Sequence, residues 1–273
     1  MTRSAHLTAR RVAILGRGRV GAALARAFGE AGIEVEGPLG RGESPTADVV
    51  LLCVPDAEIA NAAVGVDARF VGHVSGATPL DALGAADALG AADAPERAAF
   101  GMHPLQTVTG PDTSFEGCGC AIAGSTPEAL ELARGLALAA RMEAFEIDDS
   151  ARAAYHAAAS IASNFVVTLE WIAERVAAAA GIEAADARRM LAPLVRQTVG
   201  NWAQLGPTAA LTGPIARRDD VTVARQRKAV AEAAPDLLAT FDALADATRA
   251  LAGSAADARH SDADAPRSAG EAA

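Results

Sequence analysis

Two kinds of apolar pattern divide the chain. From residue 11 to about 147, short apolar runs alternate with alanine-rich stretches: RVAILG, IEVEG, DVVLLCVP, RFVGHVSG, AAFGMHP, GCAIAG and MEAFEID. Unbroken Val, Ile and Leu mark strands covered on both faces. Strands separated by helices assemble as an α/β Rossmann-type domain with a mostly parallel, doubly wound sheet. After Asp148 the spacing becomes helical throughout, predicting helices over about 149–180 (ended by Gly181), 184–205 (ended by Gly206 and Pro207), 219–234 and 236–252. Asp148 or Asp149 is a candidate cap for the first and Asp186 for the second, and Pro193 predicts a kink. A 30-residue first helix would be about 45 Å long, enough for a spine between domains or subunits.

The pattern therefore predicts an α/β domain at 11–147 and an all-α domain at 148–252. Residues 1–10 read as a disordered leader and the small polar residues 253–273 as a disordered tail. ALGAAD occurs twice within 82–98 and reads as an alanine-rich helix and loop.

Composition narrows the function classes. A net charge of −10 and a single lysine, Lys228, argue against a nucleic-acid partner, because phosphate neutralisation needs clustered cations. No uninterrupted apolar stretch is long enough to span a bilayer, and the start MTRSAHLTARR lacks an apolar signal core; the expectation is a cytoplasmic protein with no membrane partner. Cys53, Cys118 and Cys120 are too few for a disulfide framework, and CGC has no second Cys or His pair at zinc spacing, so no metal is expected.

RVAILGRGRVGAALARAFGEAG places Gly16, Gly18 and Gly21 after a strand and at the start of a helix. A dinucleotide needs these glycines for a tight turn, for close approach of backbone to pyrophosphate and for close helix–strand packing. The residue ending the second strand selects the nicotinamide cofactor: a carboxylate accepts from the ribose 2′-OH, whereas arginine receives a 2′-phosphate. IEVEGPLGRGES puts Arg41 there, which favours NADP (NADPH), with Glu36 the competing reading if the strand ends early. Arg19 adds charge beside the glycine turn. Val54 and Pro55 end the third strand next to the cofactor, and HVSGA and GMHPLQ bring His73, Ser75, His103 and Gln106 to the same sheet edge.

GRGRVG, DVVLLCVPD, HVSG, MHPLQ, YHAAASIASNF, NWAQLGP and LTGPIARRD, in this order over about residues 11–250, resemble a family of Rossmann-like bacterial proteins with a C-terminal domain of unknown function. These are relatives of ketopantoate reductase, pyrroline-5-carboxylate reductase and the 6-phosphogluconate and β-hydroxyacid dehydrogenases. The resemblance implies an NADP-binding domain, a helical domain that often dimerises, and oxidoreductase chemistry. The chain departs from the pattern in places. Arg217, Arg218 and Asp219 stand where the family usually shows Arg-Gly-Asp, and a downstream histidine is replaced around Arg225 and Gln226. In the β-hydroxyacid dehydrogenases and ketopantoate reductases a catalytic lysine precedes an asparagine by four residues. If Asn164 is that asparagine, Ser160 occupies the lysine's place.

Reduction of a carbonyl or imine needs a proton donor and groups that stabilise the developing anion. On a continuous helix at about 100° per residue, His156, Ser160, Ser163, Asn164 and Val167 share one face. His156 is the candidate donor suited to neutral pH, with Ser160 and Asn164 to orient the substrate oxygen and His103 as a further catalytic candidate; the alternative is that this face hydrogen-bonds across a helix–helix or dimer interface. Tyr155 points about 100° away and reads as an interdomain packing residue, with a hydroxyl relay as the alternative. Ser75, Gln106, Asn201 and Arg217 are candidate substrate contacts, Arg217 as a clamp on a carboxylate; Asp219 reads as an N-cap. The leading expectation is an NADP-dependent reductase of a small, anionic oxo acid or cyclic imine, ketopantoate-like by analogy, acting as a homodimer through its helical domain. The alternatives are a deazaflavin-linked NADP oxidoreductase and a non-catalytic NADP-binding sensor or scaffold dimer.

Overall fold

A computed structural model describes residues 11–84 and 97–263. The leader, most of the ALGAAD repeat and the end of the tail lie outside the described residues. Each apolar run forms a strand: β1 (Arg11–Leu15), β2 (Glu34–Leu39), β3 (Val49–Leu52), β4 (Phe70–His73), β5 (Ala98–Pro104), β6 (Gly119–Gly124) and β7 (Glu143–Glu146). They make one sheet in the order β2-β1-β3-β4-β5-β6-β7. Every pairing is parallel except β5 with β6. Helices α1 (Arg19–Glu30), α2 (Ile59–Ala63), α3 (Asp81–Gly84), α4 (Pro127–Ala139) and α5 (Arg152–Ala162) complete this part of the chain.

The continuous apolar runs are explained by burial on both faces of the sheet. Val12, Ile14 and Leu51 pack with Leu24 and Phe28 of α1 and with Leu132 and Leu136 of α4. Ala13, Val50 and Leu52 face the other way, onto Ile59 of α2 and Leu83 of α3. The edge strands β2 and β7 each carry two glutamates among apolar residues and are only partly covered, as edge strands are. Thr126 caps α4 by accepting from Ala129 N–H at 3.1 Å, with Pro127 as the first helical residue. Cys53 and Cys120 are buried, and burial pushes the Cys53 thiol up to about 12.

The first helix predicted after Asp148 is not continuous. A short 3₁₀ turn at Asp149–Ala151 leads into α5, which stops at Ser163 (φ −123°, ψ −73°), and α6 (Asn164–Ala178) begins anew. Ser and Asn offer the backbone side-chain hydrogen bonds that compete with helix, and Ser163 Oγ lies 3.1 Å from Thr107 Oγ1. There is accordingly no 45 Å spine, and Asn164 lies beyond the helix that carries His156 and Ser160. Neither Asp148 nor Asp149 caps α5 in the expected way: Asp149 accepts from Arg152 Nε at 2.5 Å and from Leu80 N–H at 2.9 Å.

By contacts the chain divides after Asn164 into two compact units, rather than at 147/148 where the pattern changes. Residues 149–164 are helical in sequence, yet they anchor in the first unit through the buried Arg152. The second unit holds most of α6 together with α7 (Ala184–Ala210), α8 (Asp220–Ala233) and α9 (Leu238–Ala263). The α7 axis breaks at Gly206 (φ 76°), one residue past the predicted end, while Pro193 is accommodated inside helical backbone. Glu183, not Asp186, is the N-cap of α7; Asp186 instead pairs with Arg189 at 2.7 Å. Asp219 does cap α8, accepting from Thr222 N–H at 3.0 Å. Residues 253–263, read as tail, continue α9. A two-pronged Arg175–Asp236 pair (2.8 and 2.9 Å) and a similar Arg227–Asp242 pair (both contacts 2.8 Å) fasten this unit from the outside.

Candidate functional site

The order β2-β1-β3 places the sheet's switch point at the C-terminal end of β1, the edge at which open α/β sheets bind ligands. The three glycines there each have a distinct reason. Gly16 (φ 128°) would bring a Cβ within 2.2 Å of the Cys53 carbonyl oxygen, and Gly21 would bring one within 2.2 Å of the Gly16 carbonyl oxygen. A Cβ on Gly18 would meet nothing within 4 Å, so this glycine faces open space rather than packed protein. Gly18 is also the N-cap of α1, where no side chain caps the helix and no acidic residue occupies the first turn. The amides at this helix end and its partial positive charge are thus free for an anion, which fits the pyrophosphate of a dinucleotide.

Beside the turn lies a cavity of about 770 Å³, lined in part by Gly16, Leu39, Arg41, Ser44, Val54 and Pro55. The end of β2 shapes its charge. Glu36 sits in mid-strand opposite Ala13, and its carboxylate accepts from Thr46 N–H (2.9 Å) and Thr46 Oγ1 (3.0 Å) and pairs with Arg11 (3.0 Å). It is engaged away from the strand end, which removes the competing reading. Arg41 is 91% exposed in its side chain and reaches Glu58 at 3.4 Å. Sequence reasoning missed two neighbours. Glu43 turns back to accept from Gly40 N–H and from Arg17 Nη2, the latter at 2.7 Å, so Arg17 and Glu43 also belong to this mouth. Arg19, the first residue of α1, is exposed.

A second cluster gathers at the ends of β4 and β5. A Cβ on Gly76 would lie 2.6 Å from His156 Nδ1 and 3.0 Å from His103 Nε2, so both imidazoles converge on this one residue. Their rings meet edge-on with centroids 5.7 Å apart. Tyr155, expected to be an interdomain packing residue, instead places its hydroxyl 2.7 Å from His103 Nδ1. Although consecutive on α5, Tyr155 and His156 both meet the His103 ring supplied by β5. His156 Nδ1 is buried without a hydrogen-bond partner among the described residues. Burial, and then the neighbouring His156, pulls His103 down to about 4, while burial pushes Tyr155 up to about 12.

Beneath the cluster runs a buried strut. Arg152, 1% exposed, donates from Nε to Asp149 and from Nη1 to the Ser75 carbonyl (3.4 Å), and Gly101 is side-chain-free where Arg152 Nη2 passes. Burial alone would raise the Asp149 carboxyl, but the hydrogen bonds from Arg152 and Leu80 outweigh it and hold it low. His73 is fully buried; its Nδ1 accepts from Ser75 N–H at 3.2 Å, and burial followed by the Arg152 charge lowers it to about 4. Ser75 is 5% exposed and its oxygen is committed to the turn, donating to Asp56 (2.8 Å) and accepting from the amides of Ala77 and Thr78.

The remaining candidates are placed elsewhere. Gln106 is exposed and stitches its own loop, donating to Ser114 O at 3.0 Å and accepting from Thr107 N–H. Ser160 is half-buried on α5 and Asn164 is exposed at the start of α6. Asn201 and Arg217 belong to the second unit, where Asn201 accepts from Gln197 at 2.6 Å and Arg217 is exposed.

Residues 118–248 match the family model DUF2520, a domain of unknown function. The DUF2520 match begins one residue before β6 of the first unit and ends within α9, so it takes in α5 with Tyr155 and His156 and most of the second unit's helices. No curated protein matches the chain. Among solved structures, a candidate NADP oxidoreductase from Bacteroides fragilis has a TM-score of 0.72 at 17% identity, covering 88% of this chain and 98% of its own. A Thermotoga maritima protein has a TM-score of 0.67 at 20% identity, covering 89% and 98%. Plasmodium falciparum pyrroline carboxylate reductase, solved with NADP bound, has a TM-score of 0.54 at 10% identity over 89% and 98%. At these identities the likeness is one of fold: a Rossmann-type sheet followed by helices. No described helix is long and apolar enough to cross a membrane.

The low pKa of His73 makes the strut pH-sensitive. Its value near 4 lies below that of an unfolded histidine, so the unfolded chain binds the extra proton first; the resulting stability is complete above about pH 6.5 and is lost as pH falls toward 4. The urea midpoint of the protein is expected to fall across this window, and less steeply in His73→Asn. Parallel curves for the two proteins would remove His73 as the source.

Proposed function

We propose that this chain is an NADPH-dependent oxidoreductase that reduces a small oxo acid or cyclic imine by hydride transfer. The observation that carries the reading is the presence, on one sheet edge, of a glycine turn shaped for a dinucleotide and two imidazoles converging on Gly76. Gly16, Gly18, Gly21 and the N-terminus of α1 would hold the pyrophosphate, with Arg19 adding charge nearby and Val54 and Pro55 forming the wall at the end of β3. Arg41, with Arg17 beside it, would receive the 2′-phosphate. Bound there, the nicotinamide supplies a hydride to the acceptor carbon, and the chain must supply a proton to the acceptor's oxygen or nitrogen.

The lysine of the related dehydrogenases is absent, and His156 takes its place as the proton donor. Its unpartnered Nδ1 faces the same residue as His103, which supports a shared polar subsite for the acceptor atom. Ser160, on the turn of α5 that follows His156, orients that atom. Asn164, at the end of the first unit, contributes at the margin of this subsite. The B. fragilis and P. falciparum structures support a nicotinamide reductase of this fold. Enzymatic turnover is favoured over a nucleotide sensor because two histidines and a tyrosine are held in mutual contact where packing alone would be met by apolar side chains.

We also propose that the second unit pairs with a second copy of the chain. Met190, Leu194, Trp202 and Leu205 are each 56–63% exposed and fall within about 120° of the α7 circumference. An apolar stripe of this kind is characteristic of an interface.

Three outcomes follow from these proposals. In fluorescence titrations NADPH should bind tighter than NADH, and Arg41→Ala should weaken NADPH alone by about tenfold, the cost of one charge-assisted contact; equal affinities for the two nucleotides would remove the 2′-phosphate assignment. Against a panel of oxo acids and cyclic imines, NADPH oxidation should proceed and should drop by about 100-fold or more in His156→Ala. An unaffected variant would eliminate the proposed acid, and no turnover with any acceptor would favour the sensor. Sedimentation velocity should give a dimer that Leu194→Glu converts to monomer, whereas a monomeric wild-type protein would refute the pairing.

A further inference from the structure

His103 stands apart from His156 in one respect: one of its two nitrogens is already assigned a partner. Its Nδ1 meets the Tyr155 hydroxyl at 2.7 Å, with the two rings edge-on at 5.5 Å. Either group is able to donate in such a contact, so the direction of the bond decides which nitrogen of His103 carries the ring proton. Three observations choose the direction. Tyr155 is half-buried and has no other hydrogen-bond partner among the described residues, so a hydroxyl that only accepted from His103 would leave its own proton without an acceptor in that direction. Burial keeps Tyr155 protonated, raising it to about 12. Burial and the neighbouring His156 keep His103 neutral, lowering it to about 4, so the ring has one N–H to place. A phenol is the stronger donor and an imidazole nitrogen the stronger acceptor of the two. The O–H of Tyr155 therefore points at Nδ1, and the single ring proton resides on Nε2.

That Nε2 lies on the ring edge, with Cε1, that is turned toward Gly76, where the absence of a side chain leaves His103 and His156 side by side. We infer that Tyr155 is a positioning residue that fixes His103 in its Nε2–H tautomer, so that His103 presents a neutral hydrogen-bond donor to the acceptor atom at the position it shares with His156. The two histidines then divide the work: His156 transfers the proton, and His103 polarises the carbonyl or imine without giving its proton up, which keeps the step free of an imidazolate. The inference rests on the reductase reading for its role in catalysis, but the tautomer is a property of the resting protein.

The experiment exploits that separation. Long-range ¹H–¹⁵N correlation spectra of the ¹⁵N-histidine-labelled full chain, at neutral pH, read each ring nitrogen as protonated or bare. For His103, assigned by its loss in His103→Gln, Nδ1 should appear bare and Nε2 protonated, and Tyr155→Phe should shift both signals toward the average of a tautomer mixture. A wild-type spectrum with the proton on Nδ1, or one that Tyr155→Phe leaves unchanged, overturns the inference whether or not the protein turns over. With whichever acceptor on the panel is reduced, Tyr155→Phe should lower kcat by about tenfold, less than the loss of a whole donor, with the NADPH affinity and KM unchanged. A variant that alters KM alone overturns the positioning role. The Nε2–H tautomer found without turnover on any acceptor overturns the reductase reading and the catalytic role with it, while the tautomer assignment stands.

Discussion

The Arg152 guanidinium is the constraint on which the candidate site depends. A buried arginine is costly unless its charge is paired, and here Nε reaches the Asp149 carboxylate and Nη1 the Ser75 carbonyl after β4, while Nη2 has no partner among the described residues. The side chain therefore pins the first turn of α5 to the loop that follows β4. Tyr155 and His156 lie three and four residues further on, one helical turn away, and so inherit their positions from it. Asp149 adds a second tie by accepting from Leu80 N–H. Loss of this ion pair would free the helix start from the sheet edge and separate the imidazole on α5 from the one on β5.

The same strut explains why the compact units divide where they do. Composition changes at Asp148, because helical spacing replaces strand runs. Contacts change at Asn164, because α5 is held by its N-terminal turn and by the polar cluster above Gly76, whereas α6 buries no residue. Helix α5 is thus part of the first unit by energetics while belonging to the helical half by pattern. The DUF2520 match, residues 118–248, crosses this division.

The elements that were legible in the sequence are those whose cause is local. Seven strands were visible because a strand buried on both faces must be apolar along its length, and the glycine turn because each of its three positions excludes a Cβ or offers a helix end. Gly206 and Asp219 announced a helix end and a helix start through backbone freedom and capping chemistry. What escaped notice depends on partners distant in sequence. The break at Ser163 has no glycine or proline to mark it and shows itself only through Thr107, 56 residues away. Nothing local marks Arg152 for burial, and the contact Tyr155 makes is set by a partner on β5, 52 residues earlier. Glu43 was passed over because its role arises from the reversal of the chain after β2, which brings its carboxylate onto Gly40 N–H.

That reversal has a further consequence. The cationic mouth at the end of β2 is not an empty socket, since Glu43 already neutralises Arg17 and occupies the Gly40 amide. An incoming phosphate there meets an ion pair rather than a bare cation, so its arrival is an exchange of one anion for another. On the proposed function, the favourable energy would be the difference between two similar attractions, so the mouth would select a phosphate by geometry and number of charges rather than by the pull of positive charge alone.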